Sequence, residues 1–280
     1  MLQNKQTELL EQYKKYDYLG SGLKIFVSYI KPSFLFKSNI LVPIHLGRSI
    51  EKEASKDGKI SDDDISWLHN NCISDDDFEG NISIHNRRVG FFTGTYKAYK
   101  NYKQIGNPEY FGSFGYRRLL SPEFLADIKK YDLILPKKKD LKLETIKEQF
   151  SKYHGLKLFD NTINIFREVY TDEYQELEEY FNGTSGYFDE IYIMKRDLFF
   201  DFCEWIIPLL FQYIKQPQIA LNNCDTRDIG FIIERLTGYY MNKLTRIVRC
   251  KEVEICATEK FRVNPSIINR DLLAKLRRNL

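Results

Sequence analysis

The run Y-F-G-S-F-G-Y-R-R-L-L over residues 110–120 alternates aromatic and small residues, then sets two guanidinium groups, Arg117 and Arg118, side by side. A buried strand that closes on paired arginines needs something anionic to hold. The planar fork of arginine matches phosphate oxygens in a bidentate fashion, and lysine adds a point charge. Cations follow two other strand-like runs. Lys31 comes after K-I-F-V-S-Y-I (24–30), and Lys137–Lys139 come after Y-D-L-I-L-P (131–136). Three cationic strand ends suit a diphosphate, whereas the bland alternative leaves each cation ending its strand in water.

Other chemistry finds less support. Gly112-x-x-Gly115 is too short for a phosphate-cradling glycine loop and lies inside a strand pattern. The triplets Asp62–Asp64 and Asp75–Asp77 could grip a divalent ion at a strand end. Neither follows a convincing strand, so both read as solvated loop charge and no metal is expected. The histidines, 45, 69, 85 and 154, show no metal-ligand spacing. Five scattered cysteines without a C-x-x-C pair read as reduced structural thiols, with Cys203 buried and inert.

The elements that must position these groups alternate. A helix over 1–19 precedes the strand 24–30, and 40–47 is a short apolar segment. Residues 51–80, dense in acidic side chains, read as a mobile excursion with short helical pieces. A helical pattern at 86–101 leads to the strand 109–116, a Ser121-Pro122 helix start and the strand 131–136. Helices fill 142–181, a strand lies at 188–195, and amphipathic helices cover 198–210 and 228–247. Strands alternating with helices imply an α/β sheet with helices on both faces, where ligands sit beyond the carboxyl ends of strands. That places Ser28, Tyr29, Lys31, Tyr116, Arg117, Arg118 and Lys137 at candidate binding positions.

The chain is 43% hydrophobic and 15% aromatic, which excludes a disordered class. No apolar run is long enough to span a bilayer, and no signal-peptide core opens the sequence, so a cytoplasmic location is expected. Net charge is +3, but basic residues concentrate in 241–280. This tail could meet an anionic membrane surface or solvent. No nucleic-acid-binding pattern accompanies it, and nucleic acid is not an expected partner. The expected organisation is one domain over 1–240 with a helical basic extension over 241–280 packed on it.

Several stretches carry a resemblance. They include K-I-F-V-S-Y-I-K-P (24–32), V-P-I-H-L-G (42–47), F-F-T-G-T-Y-K-A-Y-K-N (91–101), G-Y-R-R-L-L (115–120), Q-F-S-K-Y-H (149–154), Y-I-M-K-R-D-L-F-F-D-F-C-E-W (192–205) and D-I-G-F-I-I-E-R-L (228–236). In this order they resemble bacterial capsular and exopolysaccharide biosynthesis proteins with an H-Y-R-R signature, long filed as a domain of unknown function and regarded as GT-A-like glycosyltransferases. The chain departs from the family pattern at Ile30, Phe91 and Gly115, where His, Glu and His are typical.

The resemblance implies a GT-A-like, Rossmann-like mixed sheet and transfer of a hexose from a nucleotide-sugar donor, UDP-linked by expectation. The acceptor would be a growing capsular, lipopolysaccharide or exopolysaccharide glycan, lipid-linked or free. The arginines would stabilise the departing diphosphate without a metal cofactor, and His154, which matches a family histidine, joins the donor-binding set. Direct displacement also needs a general base, for which Asp189, Glu190, Asp228 and Glu234 are the candidates. The alternative is a non-catalytic nucleotide- or glycan-binding protein that retains the fold. The basic tail is expected to touch the inner membrane peripherally.

Overall fold

Leu23–Tyr29 (β1) sends alternate side chains into two different cores. In the computed structural model, which describes residues 2–54, 58–221 and 226–259 (without the side chains of residues 2 and 3), Leu23, Ile25, Val27 and Tyr29 enter one core and Phe26 the other. The two-residue period of an extended chain requires this alternation. Near-continuous apolar character is what a strand covered on both faces needs.

The remaining strands are β2 (Leu41–His45), β3 (Ile73–Ser74), β4 (Tyr110–Gly115), β5 (Arg118–Leu120), β6 (Leu133–Pro136), β7 (Lys139–Asp140), β8 (Ser185–Gly186), β9 (Tyr192–Lys195), β10 (Cys250–Val253) and β11 (Ile255–Ala257). The main sheet runs in the order β10-β6-β9-β4-β1-β2-β3. β1 pairs in parallel with both β2 and β4, while β9 lies antiparallel between β4 and β6. β5 leaves the end of β4 and pairs with β11, and β7 and β8 form a separate ribbon.

Helices cover both faces. On the β1-odd face lie α1 (Leu2–Lys14), α2 (Asp62–Asn71) and the 3₁₀ segment Pro122–Lys130, through Leu9, Tyr13, Leu68, Phe124 and Leu125. On the other, after the short α3 (Asn86–Val89), lie α4 (Phe92–Lys100), α5 (Ile146–His154), α6 (Leu156–Val169), α7 (Tyr174–Asn182), α8 (Arg196–Lys215) and α9 (Asp228–Leu244). Thr145 and Glu148 close a capping box at the start of α5, as their spacing dictates. No helix among the described residues is long and apolar enough to cross a membrane.

Two regions differ from expectation. Within 51–80, α2 is a packed helix. Ser61 caps it, three aspartates occupy its first turn, where the helix dipole favours them, and Leu68 is fully buried. The C-terminal extension, as far as it is described, is not helical. Its alternating C-K-E-V-E-I-C-A forms β10 and β11, which complete the sheet beside β6 and β5, and residue 240 falls inside α9. Residues 260–280, with most of the basic tail, lie outside the described residues, as does Cys224. Cys72, Cys203, Cys250 and Cys256 are free thiols, and burial pushes that of Cys203 well up.

Candidate active site

β1, β2 and β3 step outwards in one direction and β4 lies on the other side of β1, so the chain reverses its winding between β1 and β4. A crevice at the carboxyl ends of strands is the geometric consequence of such a reversal. A cavity of about 270 Å³ occupies this position. Ile30 and Lys31 line it from the end of β1, His45 and Leu46 from β2, and Arg117 from the turn after β4. Arg87, Phe91 and Arg227 close it from the helical side.

The turn after β2 is built to hold its shape. Gly47 has φ 73°, in the left-handed region that glycine enters freely. Asp75, 1% exposed at the end of β3, accepts hydrogen bonds from Gly47 N (2.7 Å), Arg48 N (3.1 Å) and Ser83 Oγ (2.6 Å). Burial nevertheless raises its pKa. The reading of Asp75–Asp77 as solvated loop charge is therefore corrected: Asp75 is a structural anchor, Asp76 bonds Ser49 and Ser74, and Asp77 pairs with Lys97.

The paired arginines part company. Arg117 faces the cavity, with Nε 3.1 Å from Glu259 Oε2 and its guanidinium over the Tyr116 ring. Arg118 turns the other way and pairs with Asp189, which also receives Lys139. Burial lowers the pKa of both Arg118 and Lys139, and Arg118 repels the lysine further. Adjacent residues of an extended chain point to opposite sides, so one guanidinium meets open space and the other meets protein carboxylates.

Asp189 and Glu190 are both non-glycine residues at positive φ, 82° and 49°. Strained pairs of this kind persist only where surrounding contacts hold them. Here Asp189 N donates to Glu234 Oε1 at 2.8 Å, and Asp189 carries its two cations. Burial, then the charge of Glu234, pushes the Glu190 carboxyl well above its usual range, against the pull of Arg227. Arg227 also lines the cavity, so Glu190 stands near its edge.

The fold thus brings Lys31 and Arg117 to the cavity, and Arg118, Asp189, Glu190 and Glu234 to the adjoining cluster. It does not bring the other candidates there. Ser28 is buried within β1. Tyr29 stacks on Tyr116 in the core (5.2 Å, 13°), and its hydroxyl donates to Phe34 O and accepts from Phe36 N. Lys137 pairs with Glu254 beside β10. His154 stacks on Phe231 at 3.8 Å between α5 and α9. Asp228 is locked between Arg88, held by two hydrogen bonds of 3.0 and 2.9 Å, and Ile219 N. Sequence spacing missed His45, Glu51, Arg87 and Arg227 on the cavity wall, along with Lys139. Burial holds His45 neutral, lowering its pKa to about 4.

Fold and site together define a GT-A-like α/β protein with a cation-lined cavity at the switch point of its sheet. The chain belongs to the family described as "Domain of unknown function (DUF4422)", whose model matches residues 24–245. Among solved structures it is similar to one titled "WbbM bifunctional glycosytransferase apo structure", with a TM-score of 0.69 and 21% identity. The match covers 85% of this chain and 46% of that one, so the chain spans just under half its length. That likeness shows a shared fold. No curated protein matches.

Proposed function

We propose that this protein is a glycosyltransferase that uses a nucleotide-sugar donor, UDP-linked, and extends a surface-polysaccharide glycan held as a lipid-linked or oligosaccharide acceptor. The observation that carries the reading is a cavity at the β1–β4 switch point lined by Lys31, Arg87, Arg117 and Arg227, with the carboxyl of Glu190 near its edge. The acceptor oxygen attacks the anomeric carbon as the bond to the diphosphate breaks, and Glu190 takes the hydroxyl proton. Preorganised cations stabilise the charge that develops on the leaving diphosphate, in place of a metal ion at the end of β4. The titles of the family and of the structural relative add the weight of analogy. Work at the cytoplasmic face of the inner membrane fits a lipid-linked acceptor, and each basic tail residue at an anionic surface would add about 1 kcal/mol.

The test is a thermal-shift and calorimetric screen of nucleoside diphosphates and nucleotide sugars against the full chain. A true donor at a hundred times its dissociation constant stabilises the fold by about 2.7 kcal/mol. Silence across the whole screen would overturn the reading. A second reading, a non-catalytic nucleotide- or glycan-binding protein, is favoured by the apolar Ile30 and Phe91 that share the cavity wall. Slow donor hydrolysis discriminates, since a binder without catalytic groups shows none.

A further inference from the structure

His45, Glu51 and His69 come from the end of β2, the turn after it and the last turn of α2, yet their ligating atoms all lie within 4.8 Å of one another. Glu51 Oε2 stands 2.8 Å from His69 Nε2 and 3.6 Å from His45 Nδ1. A hydrogen bond between Glu51 and His69 accounts for the first contact alone. It leaves the second imidazole without a reason to be there. His45 is 1% exposed, and its Nδ1 has no hydrogen-bond partner. Buried polar atoms in native proteins are nearly always satisfied, and an exception calls for a cause.

We propose that His45, Glu51 and His69 bind one divalent transition-metal ion of the zinc class, with its open coordination position towards the cavity. Two imidazole nitrogens and one carboxylate form a set that suits zinc, cobalt or nickel. Magnesium and calcium take oxygen donors instead. Ligands on a tetrahedral zinc ion stand about 3.3 Å apart when its bonds are about 2.0 Å. The distances from Glu51 to the two histidines bracket that value. Three protein ligands and one open position make the pattern of an ion that can also touch a bound molecule, and both His45 and Glu51 line the cavity. The ion would join the end of β2 to α2 on the wall away from Arg117. The argument rests on these three side chains and is independent of the transferase reading.

The full chain, stripped of metal with a chelator and dialysed, is titrated with zinc by calorimetry and with cobalt(II) by visible absorption. One ion binds per chain, and cobalt develops the visible bands of a low-coordinate site. Glu51→Gln and His69→Ala each weaken binding at least about 10-fold, since loss of even an outer-shell partner costs that much. Both variants avoid the buried His45, and circular dichroism verifies that they fold. His85→Ala leaves the affinity unchanged, and magnesium in large excess does not compete. Absence of stoichiometric binding, equal affinity in both variants, or displacement by magnesium would each overturn the proposal. A chain that binds nucleotide but no metal sinks this inference alone, and one that binds zinc but no nucleotide sinks the proposed function alone.

Discussion

Arg117 and Arg118 are neighbours of identical chemistry placed in opposite surroundings. Arg117 looks into an open cavity with Lys31 and Arg227 around it, whereas Arg118 is folded against Asp189 beside Lys139 and Glu234. The first region carries positive charge towards a space a ligand could fill. In the second, cations and carboxylates answer one another inside the protein and hold a strained turn in place. A pair that looks like one anion clamp in sequence therefore splits into a binding half and a positioning half. Each half predicts a different response to mutation.

The largest effect belongs to the positioning half. Glu190→Gln should lower transfer by about 10²- to 10⁴-fold while leaving donor affinity intact, as loss of a general base does. In the parent chain, activity should rise with pH through the raised pKa of Glu190, because the base works only once its proton has left. Stability should move the opposite way. Below the ordinary carboxylate value of about 4 both folded and unfolded chains hold the proton. Above it the unfolded chain releases its proton while the folded one keeps it, so stability falls as pH climbs towards the folded pKa. Glu190→Gln should flatten that slope in chemical denaturation run at several pH values. A variant with the parent's slope would mean the carboxyl is not held protonated.

Next comes the contrast between the two arginines themselves. Arg118→Ala strands Asp189, whose side chain is 10% exposed, and should cost about 2 kcal/mol, below the range for fully buried pairs because Arg118 itself is 30% exposed. Arg117→Ala should change stability by no more than about 0.5 kcal/mol. It should instead weaken nucleoside diphosphate binding by about 10- to 100-fold, the worth of a hydrogen bond to a charged group. Denaturant titration and calorimetry on both variants separate the two profiles. If Arg118→Ala weakens ligand binding as much as Arg117→Ala and leaves stability alone, the division between the halves fails.

Much of this arrangement was legible before any coordinates. The apolar runs of β1, β4 and β9 announce themselves because both their faces are buried, and the cations after β1 and β4 do stand at the switch point. Lys137 misled because nothing local reveals that β10 returns from the far end of the chain to lie against β6 there, where Lys137 N donates to Val253 O. Tyr29 and Tyr116 misled because a tyrosine at a strand end reads the same whether its hydroxyl faces a ligand or is bonded within the core. The approach of His45, Glu51 and His69 leaves no spacing signal, since it depends on how α2 docks onto β2. Long-range docking, not local preference, decides each of these cases.

The smallest predicted effect tests the border of the binding half, where three residues depart together from the pattern of similar proteins. A Cβ built on Gly115 would lie 3.3 Å from Phe91 Cζ, tighter than an ordinary van der Waals contact. Ile30 and Phe91, 48% and 37% exposed, line the same cavity. The glycine and the phenylalanine therefore form one coupled substitution, the ring leaning over space that a side chain at 115 would enter. Gly115→His alone should destabilise by about 1 kcal/mol through overpacking, and Phe91→Glu alone should cost less because the ring is partly exposed. The double variant should be more stable than the sum of the two predicts, with a coupling of about 0.5 kcal/mol or more for residues in contact. Strict additivity in a double-mutant cycle would mean that the ring and the glycine are independent, and that the apolar wall of the cavity arose without regard to residue 115.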